Sequence, residues 1–258
     1  MPFVYEPHFI VILIKSVQRK HMNINNKQLK DIFQGLSTPL IADAIVRLGI
    51  KPRIIASGIQ PLISGTKIAG KVFPVKHFGS VDVFFKAMTE AQEGDILIID
   101  NQGRKNEGCI GDLTVLEAQA FKLQGIIVWG CHRDTKELIE IGFPVFSYGK
   151  CPFGPLQINQ REAGTYSTIQ FDGVEVGEDD VVFADDDGIV LALYQDIKNI
   201  LSKANEINET EINQANAIKN GQTLHEHLQF DEYLIKSRED RSYTFRKHLK
   251  NIGGAIEE

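Results

Sequence analysis

The chain has 258 residues, with 34 acidic against 28 basic side chains and a formal net charge of −6, a length that fits one large domain or two small ones. At 43% hydrophobic and 24% charged residues, its composition is that of an ordinary globular protein and excludes a disordered or fibrous one. The acidic balance excludes a nucleic-acid binder working by phosphate neutralisation, because such domains carry a basic patch.

Three cysteines, Cys109, Cys131 and Cys151, lack the close pairing of structural zinc or redox motifs, and a reduced, cytoplasmic setting is the expectation. The apolar stretch at residues 9–14 is far shorter than the ~18–20 residues that span a bilayer, so no membrane partner is expected. Glu6 precedes that stretch and Lys15, Arg19 and Lys20 follow it, the reverse of a secretory signal. Residues 1–21 read as a non-core extension, with Met22 a candidate start.

In chain order, a helix is predicted over residues 27–33. A second has Thr38 as N-cap, Pro39 at its first position, Leu40, Ala44, Ile45 and Leu48 on one face, and Gly49 at its end. Residues 66–75 read as a strand, 80–92 as a helix ended by Gly94, and 95–100 as a short buried strand. A long loop, 101–111, carries Gly103, Gly108 and Gly111 and leads into a helix over 112–123 with Leu113, Leu116, Ala120 and Leu123 on one side; loops of this length are usually functional. A strand at 125–130, a helix at 134–141 ended by Gly142 and a strand at 144–148 complete an alternating α/β pattern. Short β segments follow at 166–171, 174–176, 181–184 and 189–193, with turn signals at Asp172-Gly173 and Asp187-Gly188. A polar helix runs from Gln195 to about residue 219, and a charged tail follows Gly221. The domain division is a non-core extension over 1–21, an α/β domain over 22–194 and a C-terminal helix and tail over 195–258.

In open α/β sheets ligands gather beyond the carboxyl ends of the strands. Two segments qualify: the 101–111 loop entering the helix at Asp112, and Cys131-His132-Arg133-Asp134. If their strands are neighbours, Asp112, Arg133 and Asp134 converge beside the free N–H groups of the helix start at Asp112 and Leu113, an anion site with carboxylates next to it. Glu137 lies three residues beyond Asp134 on the same predicted helix face. Carboxylates without clustered His or Cys suit Mg²⁺ or Mn²⁺, and Arg133 supplies a fork for a carboxylate or enolate oxygen.

Asp112, twenty intervening residues, Arg133-Asp134, two more residues and Glu137 resemble the signature of the metal-dependent pyruvate aldolases related to the regulator of ribonuclease activity A. Gly111 before Asp112, the Gly130 lead-in, Pro144-Val145-Phe146 and Ala184-Asp185-Asp186-Asp187-Gly188 also resemble that family, over roughly residues 38–193. The resemblance implies a swivelling β/β/α domain with a helical C-terminal extension, and homotrimers or hexamers with active sites at subunit clefts. It implies a lyase that cleaves 4-hydroxy-4-methyl-2-oxoglutarate-like 2-oxo acids to pyruvate or decarboxylates oxaloacetate. Carried over, Asp134 binds the divalent metal directly, Asp112 and Glu137 hold it through water, Arg133 contacts pyruvate oxygens, and the backbone of Gly111, Asp112 and Leu113 receives the substrate carboxylate. Arg133 and Asp112 are the catalytic pair in this reading. The alternative is a non-enzymatic regulator that binds a ribonuclease or helicase.

Other candidates have plainer readings. His132 lacks the small-residue context of a phosphocarrier histidine. The rings of His225 and His227 point apart on a helix, Asp185 to Asp187 read as a turn, and Cys109 and Cys131 read as packing residues. The glycines at 103, 108 and 111 lack the spacing of a cofactor loop for methyl transfer.

Overall fold

The computed structural model describes residues 24–55, 58–155, 158–159 and 164–253. The N-terminal extension and the candidate start at Met22 lie outside them. Helix α1 (Asn26–Phe33) opens on a reciprocal cap: Gln28 N–H donates to Asn25 Oδ1 and Asn25 N–H to the Gln28 side chain, both at 2.9 Å, satisfying two donors that a helix start leaves open. Helix α2 (Thr38–Arg47) has Ser37, not Thr38, as its N-cap, and Ser37 makes no side-chain cap bond. The acceptor comes from far along the chain. The carboxylate of buried Asp185 accepts from Thr38 N–H at 2.8 Å and from Thr38 Oγ1 at 2.6 Å, which is why the local Ser-Thr-Pro signal is displaced by one residue.

The strands are β1 (Arg53–Ile55), β2 (Gln60–Pro61), β3 (Ile68–Lys76), β4 (Ile96–Ile110), β5 (Gly125–His132), β6 (Val145–Ser147), β7 (Thr168–Phe171), β8 (Val174–Gly177), β9 (Asp180–Asp185) and β10 (Gly188–Leu193). Eight of them form one sheet in the order β1-β10-β9-β3-β4-β5-β6-β2. β3 to β6 run parallel, each separated from the next by a helix: α3 (Asp82–Glu90), α4 (Asp112–Ala120) and α5 (Thr135–Ile141). β9 pairs antiparallel with β3 and carries β10 and β1 beyond it.

Alternation along the strands sorts side chains into layers. Leu97 and Ile99 of β4 pack with Val83 and Phe84 of α3, Val115 and Ala118 of α4 and Leu138 of α5. Ile96 and Ile98 face the other way, into a core shared with Ile169, Phe171 and Val176 of the β7–β8 hairpin. On the helical face, Val181 and Phe183 of β9 meet α1, α2 and the long helix α6 (Ile197–Lys219) through Leu29, Phe33, Ile41, Ile200 and Leu201. Each fully buried aliphatic or phenyl side chain contributes about 1.5–3 kcal/mol. The result is a hairpin, a sheet and a helical layer, the β/β/α order that the family resemblance implied.

Two further expectations are corrected. Residues 101–110 are not a loop but the second half of β4. The ladder is heavily bulged: Asp100 pairs with Trp129, Arg104 with Gly130, Gly108 with Cys131 and Ile110 with His132, so the chain detours and rejoins the strand. Gln102 at φ 56 and Gly103 at φ 66 supply the left-handed step that begins the detour, and the polar, glycine-rich composition of a bulged strand resembles that of a loop. In α4 the buried face is Thr114, Val115 and Ala118, while Leu113 and Leu116 are 74% and 45% exposed.

The turn signals hold. Asp172 at φ 51 and Gly173 at φ 78 make the hairpin turn between β7 and β8, and Asp185 pairs with Gly188, leaving Asp186-Asp187 as the two-residue turn of the next hairpin. The charged segment after Gly221 is helical. It forms α7 (Leu224–His227), α8 (Phe230–Glu239) and α9 (Phe245–Ile252), gathered round Phe230, Tyr233, Tyr243 and Phe245. His248 sits buried in that cluster, with Nε2 2.9 Å from the Leu228 carbonyl oxygen. Among the described residues no helix is long and apolar enough to cross a membrane.

Candidate active site

Strands β4 and β5 end side by side, Ile110 opposite His132, and Arg133 N–H donates to Ile110 O at 2.9 Å. This stitch sets the first residues of two helices against each other. Gly111, in extended conformation, is the N-cap of α4, and Asp134 flanks α5 in the left-handed region at φ 58, ψ 42. Such a backbone costs a non-glycine residue roughly 1–2 kcal/mol and persists only where the surroundings over-determine it. Asp134 makes no side-chain cap to its own helix; its carboxylate turns toward Gly111.

The approach is close. A Cβ built on Gly111 would lie 2.2 Å from Asp134 Oδ2 and 3.1 Å from Arg133 Nε. Asp134 Oδ2 accepts from Arg133 Nε at 3.2 Å and from Asp112 N–H at a long 3.4 Å, whereas Asp134 Oδ1 accepts no hydrogen bond among the described residues. The Arg133 side chain runs past two further glycines, with its Cβ 2.9 Å from the Cβ position of Gly108 and Nη1 3.0 Å from that of Gly154. Three residues without side chains thus make its channel, and the guanidinium remains half-exposed.

The start of α4 already favours anions. Leu113 N–H donates to Asp112 Oδ1 at 2.7 Å and Asp112 N–H leans on Asp134, so both expected amides point at carboxylate oxygen, as the positive end of a helix favours. The structure therefore brings Gly111, Asp112, Leu113, Arg133 and Asp134 to one corner. Glu137 is exposed on α5 and makes no hydrogen bond or ion pair with them among the described residues. No group of three or more His, Cys, Asp or Glu side chains is set to hold a metal among those residues; the three carboxylates are spread, not gathered. What the corner offers a cation is the Asp134 carboxylate, with Asp112 at the adjoining helix start, oxygen donors of the kind a hard ion takes.

Two polar clusters near this corner had little or no signature in the sequence. Behind Asp134, His132 is 3% exposed, with Nδ1 2.7 Å from Ser147 Oγ and Nε2 3.1 Å from Thr135 Oγ1. Burial lowers its pKa, with nearby Lys150 adding to the shift. Buried and partnered at both nitrogens, His132 is not presented as a phosphocarrier. Thr135 and Ser147 also line a cavity of about 270 Å³, together with Gln60, Tyr148 and Lys150. Under the β4 detour, His77 Nδ1 lies 2.8 Å from Asn101 Oδ1, Arg104 Nη2 donates to the same oxygen at 2.5 Å, and Arg104 Nε donates to Glu107 at 2.7 Å. Burial lowers the His77 pKa. Cys109 and Cys131 are buried with thiols raised by burial, in keeping with a packing role. The i, i+3 spacing of His132 and Thr135 was the one available signal; Ser147, His77 and Asn101 had none.

The family description RraA-like: Aldolase/RraA matches residues 38–191. The chain belongs to the RraA-like family. Among its relatives, the uncharacterised protein MJ0644 of Methanocaldococcus jannaschii is 26% identical over 223 residues, covering 85% of this chain and 99% of that one. A protein of Alkalilimnicola ehrlichii, provisionally named a 4-hydroxy-4-methyl-2-oxoglutarate aldolase, is 31% identical over 125 residues, 48% of this chain and 75% of its own. Among solved structures, Streptomyces coelicolor RraAS2, described as an unusual member of the RNase ES inhibitor RraA protein family, superposes with a TM-score of 0.61 at 25% identity, covering 70% of this chain and 93% of that one. The RraA-like match thus spans both segments that form the corner.

Proposed function

We propose that this RraA-like protein is a divalent-metal-dependent lyase acting on 2-oxo acids that yield pyruvate, by aldol cleavage of 4-hydroxy-4-methyl-2-oxoglutarate-like substrates, by decarboxylation of oxaloacetate, or by both. The observation that carries it is the Arg133-Asp134 corner facing Gly111, where a half-exposed guanidinium, an open carboxylate oxygen and helix-start amides share one small space. The aldolase names of relatives support the same reaction class.

Asp134 would hold Mg²⁺ or Mn²⁺ directly, with Asp112 and Glu137 reaching it through water. When bound, that cation supplies Lewis-acid stabilisation of the oxygen that becomes negative. The chain's own residues do the rest. Once the Asp112 and Asp134 carboxylates turn to the cation, the α4 amides at Asp112 and Leu113 that they occupy in its absence would be released to receive the substrate carboxylate, and Arg133 would donate to the 2-oxo oxygen as it gains charge. In aldol cleavage the C4 hydroxyl gives its proton to water as its oxygen becomes the leaving carbonyl, the C3–C4 bond breaks, and its electron pair enters the pyruvate enolate, which then takes a proton from water at C3. Donors placed where charge develops are the strongest contributors to such a step. No lysine Schiff base is required.

Steady-state assay of the purified protein on oxaloacetate tests this. EDTA should abolish turnover and Mg²⁺ or Mn²⁺ should restore it; full activity in chelator, or borohydride trapping of substrate on the chain, would overturn the assignment. We also propose that further copies cover the exposed Leu113, Leu116 and Phe121 of the α4 region, giving a homotrimer or hexamer. The competing reading, a regulator that contacts a ribonuclease or helicase, predicts that Arg133 is dispensable for function.

A further inference from the structure

His132 takes no part in the chemistry just described, yet it directly precedes Arg133 and Asp134 in the chain and its ring is buried. It reaches in two directions. Nδ1 meets Ser147 Oγ on β6 and Nε2 meets Thr135 Oγ1 on the first turn of α5. A neutral imidazole carries one N–H and one lone pair, so in either tautomer one hydroxyl accepts from the ring and the other donates to it. The chain at His132 is fixed as well: its N–H donates to Gly149 O and its carbonyl accepts from Cys151 N–H, both at 2.8 Å.

The consequence lies in what the ring spans. His132 precedes Arg133, and its partner Thr135 follows Asp134, so the imidazole clamps both sides of the two-residue corner and anchors the clamp to the neighbouring strand. Asp134, inside the clamp, holds a left-handed backbone without a side-chain cap, so its own side chain does not secure the conformation that turns its carboxylate to Gly111.

We propose that His132 is a positioning residue: by tying Ser147 to Thr135 it holds the Arg133-Asp134 corner in the conformation that presents the Asp134 carboxylate for metal. This rests on the metal-dependent lyase reading of the same corner. Groups that orient a metal-binding carboxylate or its backbone typically influence metal affinity about 10–100-fold, and the clamp belongs to that class.

The test is Mn²⁺ binding by electron paramagnetic resonance on the purified full-length chain without substrate. His132→Leu fills the space but bridges nothing, Thr135→Val removes one hydroxyl at a partly exposed helix start, and Thr135→Ser keeps it. We expect the first two to weaken Mn²⁺ binding about 10-fold or more, the third to match wild type, and the double variant to be no weaker than the weaker single, because both changes break one coupling. Should His132→Leu fail to fold, the Thr135 pair carries the test alone. Thr135→Val binding Mn²⁺ within about twofold of wild type overturns the positioning role and leaves the lyase reading standing. A wild-type chain that binds no Mn²⁺ removes the lyase reading and the role that depends on it.

Discussion

Gly111 acts through the side chain it lacks. Its backbone is extended, at φ −139, so alanine meets no conformational penalty there; what it meets is Asp134 Oδ2 at 2.2 Å. That oxygen is the far end of a side chain and can swing away, so Gly111→Ala should leave the urea midpoint almost unchanged while displacing the carboxylate. Misplacement by about 1 Å is enough to cost ~100-fold in rate, and kcat/KM on oxaloacetate beside an unfolding curve will separate the two effects. Arg133→Ala removes a donor expected to bind the enolate more tightly than the ketone. Its loss should fall mainly on kcat, by ~100–1,000-fold or about 3–4 kcal/mol. Lysine should rescue poorly, since it keeps the charge without the fork; wild-type turnover in Arg133→Ala would instead favour the regulator.

His77 predicts a pH effect on stability. Burial depresses its pKa below the ordinary 6.5, with Asn101 and Glu107 opposing the shift and Arg104 adding to it. The folded ring therefore resists a proton that the unfolded chain accepts. Stability is fully present above pH 6.5 and falls as pH drops below it, until the folded ring also titrates. Asp100, raised by burial, acts in the opposite sense nearer its own carboxylate range. His77→Gln should flatten the stability profile below pH 6.5 in urea titrations; an unchanged profile would show that other groups set it.

At the scale of elements, the β4 detour is held by its polar underside. Glu107 is 4% exposed and receives Arg104 Nε at 2.7 Å, so Arg104→Ala takes a charged hydrogen-bond donor from a buried carboxylate. About 2–3 kcal/mol of stability should be lost, read as a lower urea midpoint at constant slope. This element also marks the limit of what sequence reasoning could reach. The alternation of strand and helix was legible because glycines punctuate it, and the spacing from Asp112 to Arg133-Asp134 is one strand-to-strand repeat, which brings both to adjacent strand ends. The bulged half of β4 was not legible, because its polar residues make ladder bonds through the backbone. The buried face of α4 was hidden for a different reason: Leu113, Val115, Leu116, Ala118 and Ala120 are spread round the helix, so no stripe is marked. His77 and Asn101 stand 24 residues apart, a distance at which only the register of β3 against β4 makes them neighbours.

At the scale of the whole molecule, the exposed apolar side chains round α4 predict assembly. Sedimentation equilibrium should give a trimer or hexamer, and a monomer at working concentration would remove that proposal. The sheet order also dictates when the molecule can be finished. Its central strand β3 takes one neighbour from β4 but the other from β9, whose pairing begins with Lys71 opposite Val181. A chain emerging from the ribosome N-terminus first must expose that flank of β3 while about a hundred more residues are made, roughly 5–20 s at ordinary rates of synthesis. Through that interval β3 is an open edge, free to pair with any extended strand nearby. A nascent chain stalled before β9 should therefore be more prone to self-association than one released with the strand in place.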